Sequence, residues 1–298
     1  MKTAFCITLS LFLTLGSTNV FTDAKKHANN IRTVEVSEGL YVLMGNGGNI
    51  GLHIGEDGTF LIDDQYKPMS EKVEAAIKSL GGSLPKFIIN THWHGDHTGG
   101  NEHFGNTGSV IVAHKNVRER LSSEQFVKAF NFTSPPQPEA AKPVVTFEDG
   151  VTFHFNNETI DVKHFPNAHT DGDSYLKFKN ANVIHTGDLF FNGFYPFIDA
   201  GSNGSVSGMI KGVKAVLALC DKNTKIIPGH GPIATKKDLK NYLKMLKTAH
   251  KAIKKLKDKG MSREEVMAAN PTAKLDKKWG NGIFKGDVWS GIVYDGIK

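Results

Sequence analysis

The sequence predicts an α/β fold with strands in both halves of the chain and helices between them. Runs of β-branched and aromatic residues, bounded by Gly, Asn and Asp, recur along the chain. Apolar residues at helical spacing separate several of these runs. The composition is that of an ordinary globular protein, since 39% of the 298 residues are hydrophobic and 22% are charged. No period of about 20–50 residues repeats, which argues against a repeat architecture.

The first half of the chain is predicted to contain hairpins followed by alternating helices and strands. Glu38-Gly39 and Asp57-Gly58 provide the turns of two hairpins. The glycine-rich segment 45–51 is interpreted as a hairpin turn or a flexible site loop, because it does not fit a dinucleotide fingerprint. We predict strand-like segments over 31–45, 49–64, 86–91 and 109–114, helices over 68–82 and 115–123, and a proline-rich surface loop over 131–143.

The second half is predicted to contain further strands and a long basic helix. Residues 236–298 hold 16 Lys and Arg against 7 Asp and Glu. Leu239, Leu246 and Ile253 recur at helical spacing, which indicates a helix packed on the core with a solvated lysine face; membrane or nucleic-acid contact is the alternative. We predict strands over 151–155, 159–165, 174–179, 182–187 and 225–229, a helix over 207–219, and a basic helical extension over about 236–298.

The first 24 residues are predicted to be a secretory signal peptide. Lys2 precedes an apolar stretch that runs from Ala4 to Leu15, and small and polar residues follow. A buried N-terminal helix is the alternative interpretation. No run of about 18 apolar residues occurs, so no membrane span is expected. Removal of the signal peptide would leave Cys220 as the last cysteine, and a metal would then be held by His and carboxylate side chains.

The segment THWHGDHTGG, residues 91–100, carries an unusual density of possible metal ligands. It follows a buried-type strand, where open sheets place ligand sites. His92, His94, Asp96 and His97 offer imidazole and carboxylate groups, which suit zinc. Because one catalytic ion does not need four ligands from one loop, we predict two ions that share a nucleophile.

Three further candidate ligands lie downstream. His169, Asp188 and His230 each follow a strand-like run and stand beside glycine or proline. With the loop at 91–100 they give the order His-x-His-x-Asp-His, a later His, Gly-Asp and Gly-His-Gly. In this order the chain resembles the metallo-β-lactamase superfamily over roughly Val34 to Ile233. The resemblance implies a single domain over 25–298 with the αβ/βα four-layer sandwich of that type, the metals at one edge between two sheets, and a periplasmic or secreted location.

The resemblance also implies a role for each candidate residue. Asp63 would orient a ligand histidine, with Asp64 as its competitor, and His185 would lie behind the ligands or in the core. The implied ligand sets are His92, His94 and His169 for one ion and Asp96, His97 and His230 for the other, with Asp188 bridging.

The implied chemistry is hydrolysis by a hydroxide that bridges two Zn²⁺ ions, since zinc can lower the pKa of bound water to about 7. Asp96 would orient the hydroxide and carry a proton to the leaving group. Residue types alone do not distinguish zinc from iron or manganese. We predict hydrolysis of an ester, lactone or amide bond of a small molecule.

Four residues are predicted to line the substrate pocket: Trp93, Phe191, Asn192 and Tyr195. The commonest zinc β-lactamases have Cys where this chain has Asp188 and Lys where it has Phe191, so weak β-lactamase activity at most is expected. A true β-lactamase, a glyoxalase II-like thioesterase and a non-catalytic metal- or ligand-binding protein are the alternatives. No nucleic-acid partner is expected, because the excess basic charge is concentrated in one C-terminal helical segment.

Overall fold

A computed structural model describes residues 31–297 of the chain, in which two β-sheets carry most of the strands. The predicted signal peptide lies outside the described residues. The strands are β1 (Arg32–Ser37), β2 (Leu40–Met44), β3 (Ile50–Gly55), β4 (Gly58–Ile62), β5 (Pro85–Asn90), β6 (Val110–His114), β7 (Gln125–Val127), β8 (Phe132–Ser134), β9 (Val145–Phe147), β10 (Gly150–Phe155), β11 (Glu158–His164), β12 (Ser174–Phe178), β13 (Val183–His185), β14 (Lys225–Ile227) and β15 (Ala234–Thr235).

Strand direction brings the loops of the candidate site to one edge. The first sheet has the order β1-β2-β3-β4-β5-β6-β9, and β4, β5, β6 and β9 run parallel. The second sheet has the order β10-β11-β12-β13-β14-β15, and β13 pairs parallel with β14. Because parallel strands end at the same edge of a sheet, the segments after β4 and β5 are neighbours, as are those after β13 and β14.

The helices cover the outer faces of both sheets. They are α1 (Ser70–Ser79), α2 (Gly95–Thr98), α3 (Asn101–Asn106), α4 (Lys115–Leu121), α5 (Val206–Leu219), α6 (Lys236–Lys257), α7 (Arg263–Ala269), α8 (Ala273–Trp279) and α9 (Gly286–Asp295). Val73 and Ile77 of α1 pack on the first sheet, whereas Val213 of α5 and Leu239 of α6 belong to the core beside the second sheet.

A third cluster of apolar side chains fills the space between the two sheets. Phe60 and Ile89 of the first sheet share this cluster with Phe155, Leu176 and Phe178 of the second. Alternation along each strand puts such residues on the inner face. The resulting order of helix, sheet, sheet and helix confirms the predicted four-layer sandwich.

The basic helix α6 is amphipathic, as its sequence predicts. Leu239, Leu246 and Ile253 are buried in the core. Thr235 and Asp238 form a capping box that satisfies the first backbone N–H groups of the helix. Three shorter helices, α7 to α9, follow it in the predicted helical extension. Within residues 31–297, no helix is both long and apolar enough to cross a membrane.

One segment differs from its prediction. The predicted surface loop over 131–143 contains β8, which pairs with β7 to form a small hairpin separate from both sheets. Asn131 follows the turn of this hairpin with a φ of 47°, a left-handed conformation that asparagine tolerates. Three-residue strands carry too little periodicity to be recognised in a sequence, and the prolines of the segment obscured them further.

Candidate metal centre

The loop after β5 is held in place by the carboxylate of Asp63, which follows β4. Asp63 Oδ1 accepts a hydrogen bond from the backbone N–H of Thr91 at 2.7 Å. Its Oδ2 accepts from the Thr91 hydroxyl at 2.8 Å and lies 2.8 Å from Nδ1 of His97. One buried carboxylate thus fixes both the start of the loop and the orientation of an imidazole, in the position predicted for Asp63.

Four of the predicted ligands form a first group of buried metal-capable atoms. They are His92, His94, His169 and Asp188. Nδ1 of His94 lies 2.8 Å from Nε2 of His169, and Nε2 of His169 lies 3.3 Å from Oδ2 of Asp188. The side chains come from the loop after β5, from the β11–β12 connection and from the turn after β13.

The tautomers of this group leave lone pairs that face each other. Nδ1 of His169 lies 2.9 Å from the carbonyl oxygen of Phe197, which can only accept, so this nitrogen is the donor. Nε2 of His94 lies 3.1 Å from the Asp199 carboxylate and donates to it. The facing Nδ1 of His94 and Nε2 of His169 therefore carry lone pairs, which repel unless a cation lies between them. The arrangement fits a metal ion.

A second group faces the other oxygen of Asp188 and consists of Asp96, His97 and His230. Nε2 of His97 lies 3.1 Å from Oδ1 of Asp188, and Nε2 of His230 lies 3.5 Å from the same oxygen. Oδ2 of Asp96 lies 3.2 Å from Nε2 of His230. Asp188 thus presents one oxygen to each group, as expected of a bridging ligand.

Two buried polar atoms at this centre have no hydrogen-bond partner among residues 31–297. They are Nε2 of His92 and Oδ1 of Asp188; the latter faces the imidazoles of His97 and His230 at 3.1 and 3.5 Å, but in neither case with the geometry of a hydrogen bond. Leaving such atoms unpaired costs about 1–3 kcal/mol each, and more for a charged group. Metal coordination would satisfy both atoms, so the donor set fits two ions. The role of the seven residues as ligands stays a prediction.

The electrostatics of the centre favour added positive charge. Burial lowers the pKa of His92 well below its ordinary value and lowers the pKa of His169 to about 4. Burial also acts to lower the pKa of His97 and His230, but the charges of Asp188 and neighbouring carboxylates outweigh burial. As a result, the pKa of His97 lies well above its ordinary value and that of His230 is raised to about 9. A cation placed at the second group would take over the role of these protons.

Asp96 is ionised at neutral pH. Burial acts to raise its pKa, but the adjacent His97 and His230 lower it to about 2. The carboxylate is therefore available to bind a cation or to accept a proton from water.

Two glycines allow the loops to approach the ligands. A Cβ on Gly48 would lie 2.0 Å from Cε1 of His97, and a Cβ on Gly229 would lie 2.0 Å from Oδ1 of Asp188. Neither position accepts a side chain without displacing a candidate ligand. The glycine-rich segment at 45–51, for which the sequence left two interpretations, therefore borders the site.

His185 and Asp64 contact the backbone around the centre. His185 Nε2 lies 3.1 Å from the carbonyl oxygen of Asn49, and its Nδ1 accepts from the N–H of Gly187, the residue before Asp188. Asp64 accepts from the N–H of Gly100 and makes no hydrogen bond to a candidate ligand imidazole. Of the two neighbouring aspartates, the geometry therefore favours Asp63 for the orienting role.

Asp199 is a residue of the centre that the sequence analysis missed. Its Oδ2 lies 3.1 Å from His94 and 2.6 Å from the Ser202 hydroxyl, while its Oδ1 accepts from the N–H of Gly201. Burial acts to raise the pKa of Asp199, but the bond to His94 and further contacts lower it to about 2. Asp199 orients His94 as Asp63 orients His97.

A cavity of about 300 Å³ opens onto the candidate ligands. Trp93 and Phe191, two of the predicted pocket residues, line it, together with Phe194 and Phe197. The aromatic loop after Asp188 thus supplies much of its wall. Among the described residues that line this cavity there is no Lys or Arg.

The other two predicted pocket residues lie elsewhere. The Tyr195 ring stacks on Trp289 with centroids 4.1 Å apart, and its hydroxyl donates to Asp276 at 2.8 Å. The Asn192 amide donates to the carbonyl oxygen of Pro232 and does not line the cavity. Neither side chain lines the cavity, because Tyr195 is held by Asp276 and Trp289, and Asn192 is held by Pro232.

Comparison with known proteins places this geometry in a family. The model of the metallo-beta-lactamase superfamily matches residues 44–241. An acyl-coenzyme A thioesterase of Gallus gallus, MBLAC2, is 24% identical over 162 residues, which is 50% of this chain and 57% of the relative. A hydroxyacylglutathione hydrolase of Pelagibacter ubique is 28% identical over 148 residues, 49% of this chain and 51% of the relative. The chain thus spans about half the length of these two curated relatives.

Solved structures show the same fold. A metallo-beta-lactamase of Cronobacter sakazakii superposes with a TM-score of 0.64 at 18% identity, over 80% of this chain and 99% of the other. One from Pontibacter korlensis gives a TM-score of 0.59 at 18% identity, over 73% and 99%. The family model covers about two thirds of the sequence and includes all seven candidate ligands. The chain therefore belongs to the metallo-beta-lactamase superfamily.

Proposed function

We propose that the protein is a zinc-dependent hydrolase that cleaves the acyl bond of a neutral, apolar small molecule, namely an ester, a lactone or a thioester. One observation carries the proposal. Two groups of candidate ligands share the carboxylate of Asp188 and open into a cavity with an aromatic wall, and none of the described residues that line it is Lys or Arg. Such a site combines activation of water with an apolar pocket for the substrate.

When bound, two zinc ions would supply an activated water and would polarise the acyl carbonyl. Asp63 and Asp199 hold the imidazoles of His97 and His94 in fixed orientations, so the ligands do not have to reorganise during the reaction. Water adds its oxygen to the acyl carbon, and the bond from that carbon to oxygen or sulfur breaks. One proton of the water goes to the alcohol or thiol and the other to solvent, which leaves a carboxylate; a lactone gives both groups in one molecule.

Asp96 is the residue proposed to handle the proton. Its carboxylate lines the cavity and is ionised at neutral pH. It can orient the attacking water, accept its proton and pass that proton to the oxygen or sulfur of the leaving group. Water is the proposed nucleophile; Cys220 is buried in the core beside the second sheet and does not line the cavity.

The thioester is included because of the two curated relatives. Acyl-coenzyme A and hydroxyacylglutathione, which appear in their names, are both thioesters. An amide stays within the predicted range of substrates, but an amine is a poorer leaving group than an alcohol or a thiol and must be protonated as the C–N bond breaks. A β-lactam presents a carboxylate, and no Lys or Arg among the described residues lines this cavity to bind it.

The first test is metal analysis of protein purified without added metal, followed by assays on aryl esters, lactones, thioesters, β-lactams and phosphodiesters. We expect about two zinc ions per chain and turnover of the neutral acyl substrates. His94→Ala should greatly weaken binding of the ion proposed for His92, His94 and His169, and should lower turnover by orders of magnitude. His250→Ala is the matched control, because His250 lies on α6 and lines only a surface depression of that helix. Full turnover by His94→Ala with unchanged zinc would contradict the proposal.

We also propose that the protein is exported to the periplasm or secreted. The support is the sequence of residues 1–24, where a charged residue precedes an apolar stretch. The mature protein should begin after Ser17 and before His27. N-terminal sequencing of the exported protein measures this directly, and recovery of Met1 would contradict it.

A further inference from the structure

The hairpin of β7 and β8 exposes three phenylalanine rings beside the candidate metal centre. Phe126, Phe130 and Phe132 are 58%, 46% and 56% exposed, and Ile283, on the segment between α8 and α9, is 74% exposed. Scattered apolar residues are normal on a protein surface, but a cluster of this kind marks a binding surface. An isolated two-stranded hairpin is also only marginally stable in water, so this hairpin needs contacts with the rest of the protein or with a ligand. Its aromatic side chains can provide such contacts.

The two faces of the hairpin have different surroundings. Val127 is paired with Phe132 across the hairpin, and both side chains line the cavity over the metal centre. Phe126 is paired with Thr133, and neither lines that cavity. Side chains alternate between the two faces of a strand, so the apolar residues of one face point to the candidate ligands and Phe126 points away.

The cavity face of the hairpin is connected to the metal centre by a continuous row of aromatic rings. The Phe130 ring lies 5.0 Å from that of Phe197, and the Phe197 ring lies 5.4 Å from the imidazole of His94. Phe130 also lies 5.7 Å from Phe284, which adjoins the exposed Ile283. This row of aromatic rings runs from the candidate ligand His94 to the solvent, and the rings of Phe197 and Phe130 that form it are apolar.

The charges of the cavity also favour one kind of occupant. Its charged groups are the candidate ligands themselves, such as Asp96 and His230, and no Lys or Arg among the described residues lines it. Once the ligands hold metal, the remaining wall is aromatic and aliphatic. An extended neutral chain can lie along this wall without leaving a charge unpaired.

We infer that the β7–β8 hairpin, with Ile283, binds the apolar acyl chain of the substrate and selects acyl esters or thioesters by chain length. The inference rests on the proposed hydrolase function and adds its substrate class. The acyl chain lies between Phe130, Phe132 and Ile283, while its carbonyl carbon lies at the metal centre. Phe130 and Phe132 are specificity-determining residues in this arrangement.

The test is a series of p-nitrophenyl esters and acyl thioesters from acetyl to dodecanoyl, assayed with the zinc-loaded protein. Each methylene that becomes buried raises kcat/KM by up to about fourfold. We expect the octanoyl substrate to exceed the acetyl substrate by more than about a hundredfold. Phe130→Ser and Phe132→Ser should each lower this ratio by about tenfold or more.

Phe126→Ser is the matched control. It removes an equally exposed ring from the same hairpin, but from the face that points away from the cavity. The ratio of octanoyl to acetyl turnover should be unchanged in this variant. An equal fall of this ratio in all three variants would show that the ratio depends only on the total exposed apolar surface of the hairpin. That result would overturn the inference.

A binding measurement separates this inference from the proposed function. Calorimetric titration of the purified protein with 2-butanone and 2-decanone reports binding of a neutral chain without any turnover. We expect the longer ketone to bind more tightly, and Phe132→Ser to remove most of that difference. Hydrolysis of acetyl esters with a flat chain-length profile would overturn the inference and leave the hydrolase proposal intact. Absence of all hydrolysis with selective ketone binding would contradict the hydrolase proposal alone. A dimer that dissociates in Phe130→Ser, with a flat profile, would assign the surface to a second copy of the chain.

Discussion

Replacement of Gly48 by alanine tests whether the glycine-rich loop is part of the metal centre. The added Cβ would lie 2.0 Å from Cε1 and 2.4 Å from Nε2 of His97. Ordinary contacts between such atoms begin near 3.4 Å, so the imidazole or the loop has to move by more than 1 Å. The hydrogen bond from Gly48 N–H to the carbonyl oxygen of Asp96, 3.0 Å long, resists movement of the loop.

A displacement of this size has a large expected effect. A misplacement of about 1 Å can cost about a hundredfold in rate, and the loss of a metal ligand costs more. Gly48→Ala should therefore lose most of the metal from the group formed by Asp96, His97 and His230, and kcat should fall by about a hundredfold or more. The fold should persist, because Gly48 lies in the loop between β2 and β3 and not in a strand of the sheet.

The assay is metal content by atomic emission together with kcat for a small neutral ester. Gly95→Ala serves as the control for metal content, since Gly95 lies in the ligand loop itself and a Cβ there would have none of the atoms of residues 31–297 beyond its own surroundings within 4 Å. Two equivalents of metal and normal kcat in Gly48→Ala would refute the reasoning. If Gly95→Ala also lost metal, the loss in Gly48→Ala could not be assigned to the contact with His97.

Three further changes test other parts of the structure. Asp199→Asn removes the negative charge that orients His94, and metal affinity should fall by about 10- to 100-fold in a zinc competition titration, while unchanged affinity would contradict the orienting role. Phe191→Lys supplies a cation to the cavity and should raise β-lactam turnover by about 10- to 100-fold in a spectrophotometric assay; no gain would show that another obstacle excludes β-lactams. Burial lowers the pKa of His114 to about 4 in the folded state, whereas the pKa of an ordinary histidine is about 6.5. Between these values the unfolded state binds a proton that the folded state does not, so the stability present above a pH of about 6.5 is lost as the pH falls toward 4. Urea unfolding of His114→Asn should therefore depend less on pH over that range than unfolding of the wild type, and identical profiles would contradict the assignment.

The candidate ligands could be predicted because their signals are local. His92, His94, Asp96 and His97 fall within one short loop after a buried strand, and residue type and spacing suffice to suggest a metal site. The orienting role of Asp63 was implied by the resemblance to the metallo-β-lactamase superfamily, and its carboxylate lies 2.8 Å from Nδ1 of His97. The structure brings all of these residues to one edge of the sandwich.

Asp199 illustrates what the sequence did not reveal. It lies 105 residues from His94, with no motif around it. The sequence also did not reveal which aromatic residues line the pocket. Tyr195 and Phe191 stand in one aromatic segment, and nothing in that segment indicates that one ring would stack on Trp289 while the other lines the cavity.

By itself, the sequence determined the α/β class, the positions of most strands and helices, and the residues able to bind metal. These depend on hydrophobic period and on side-chain chemistry, which are properties of short segments. The tertiary structure alone decided which carboxylate orients which imidazole, that Gly48 and Gly229 must lack side chains, and that the β7–β8 hairpin turns Phe132 toward the cavity and Phe126 away from it. Each of these depends on the direction of a side chain relative to a partner far away in the chain, and packing, not local propensity, sets that direction.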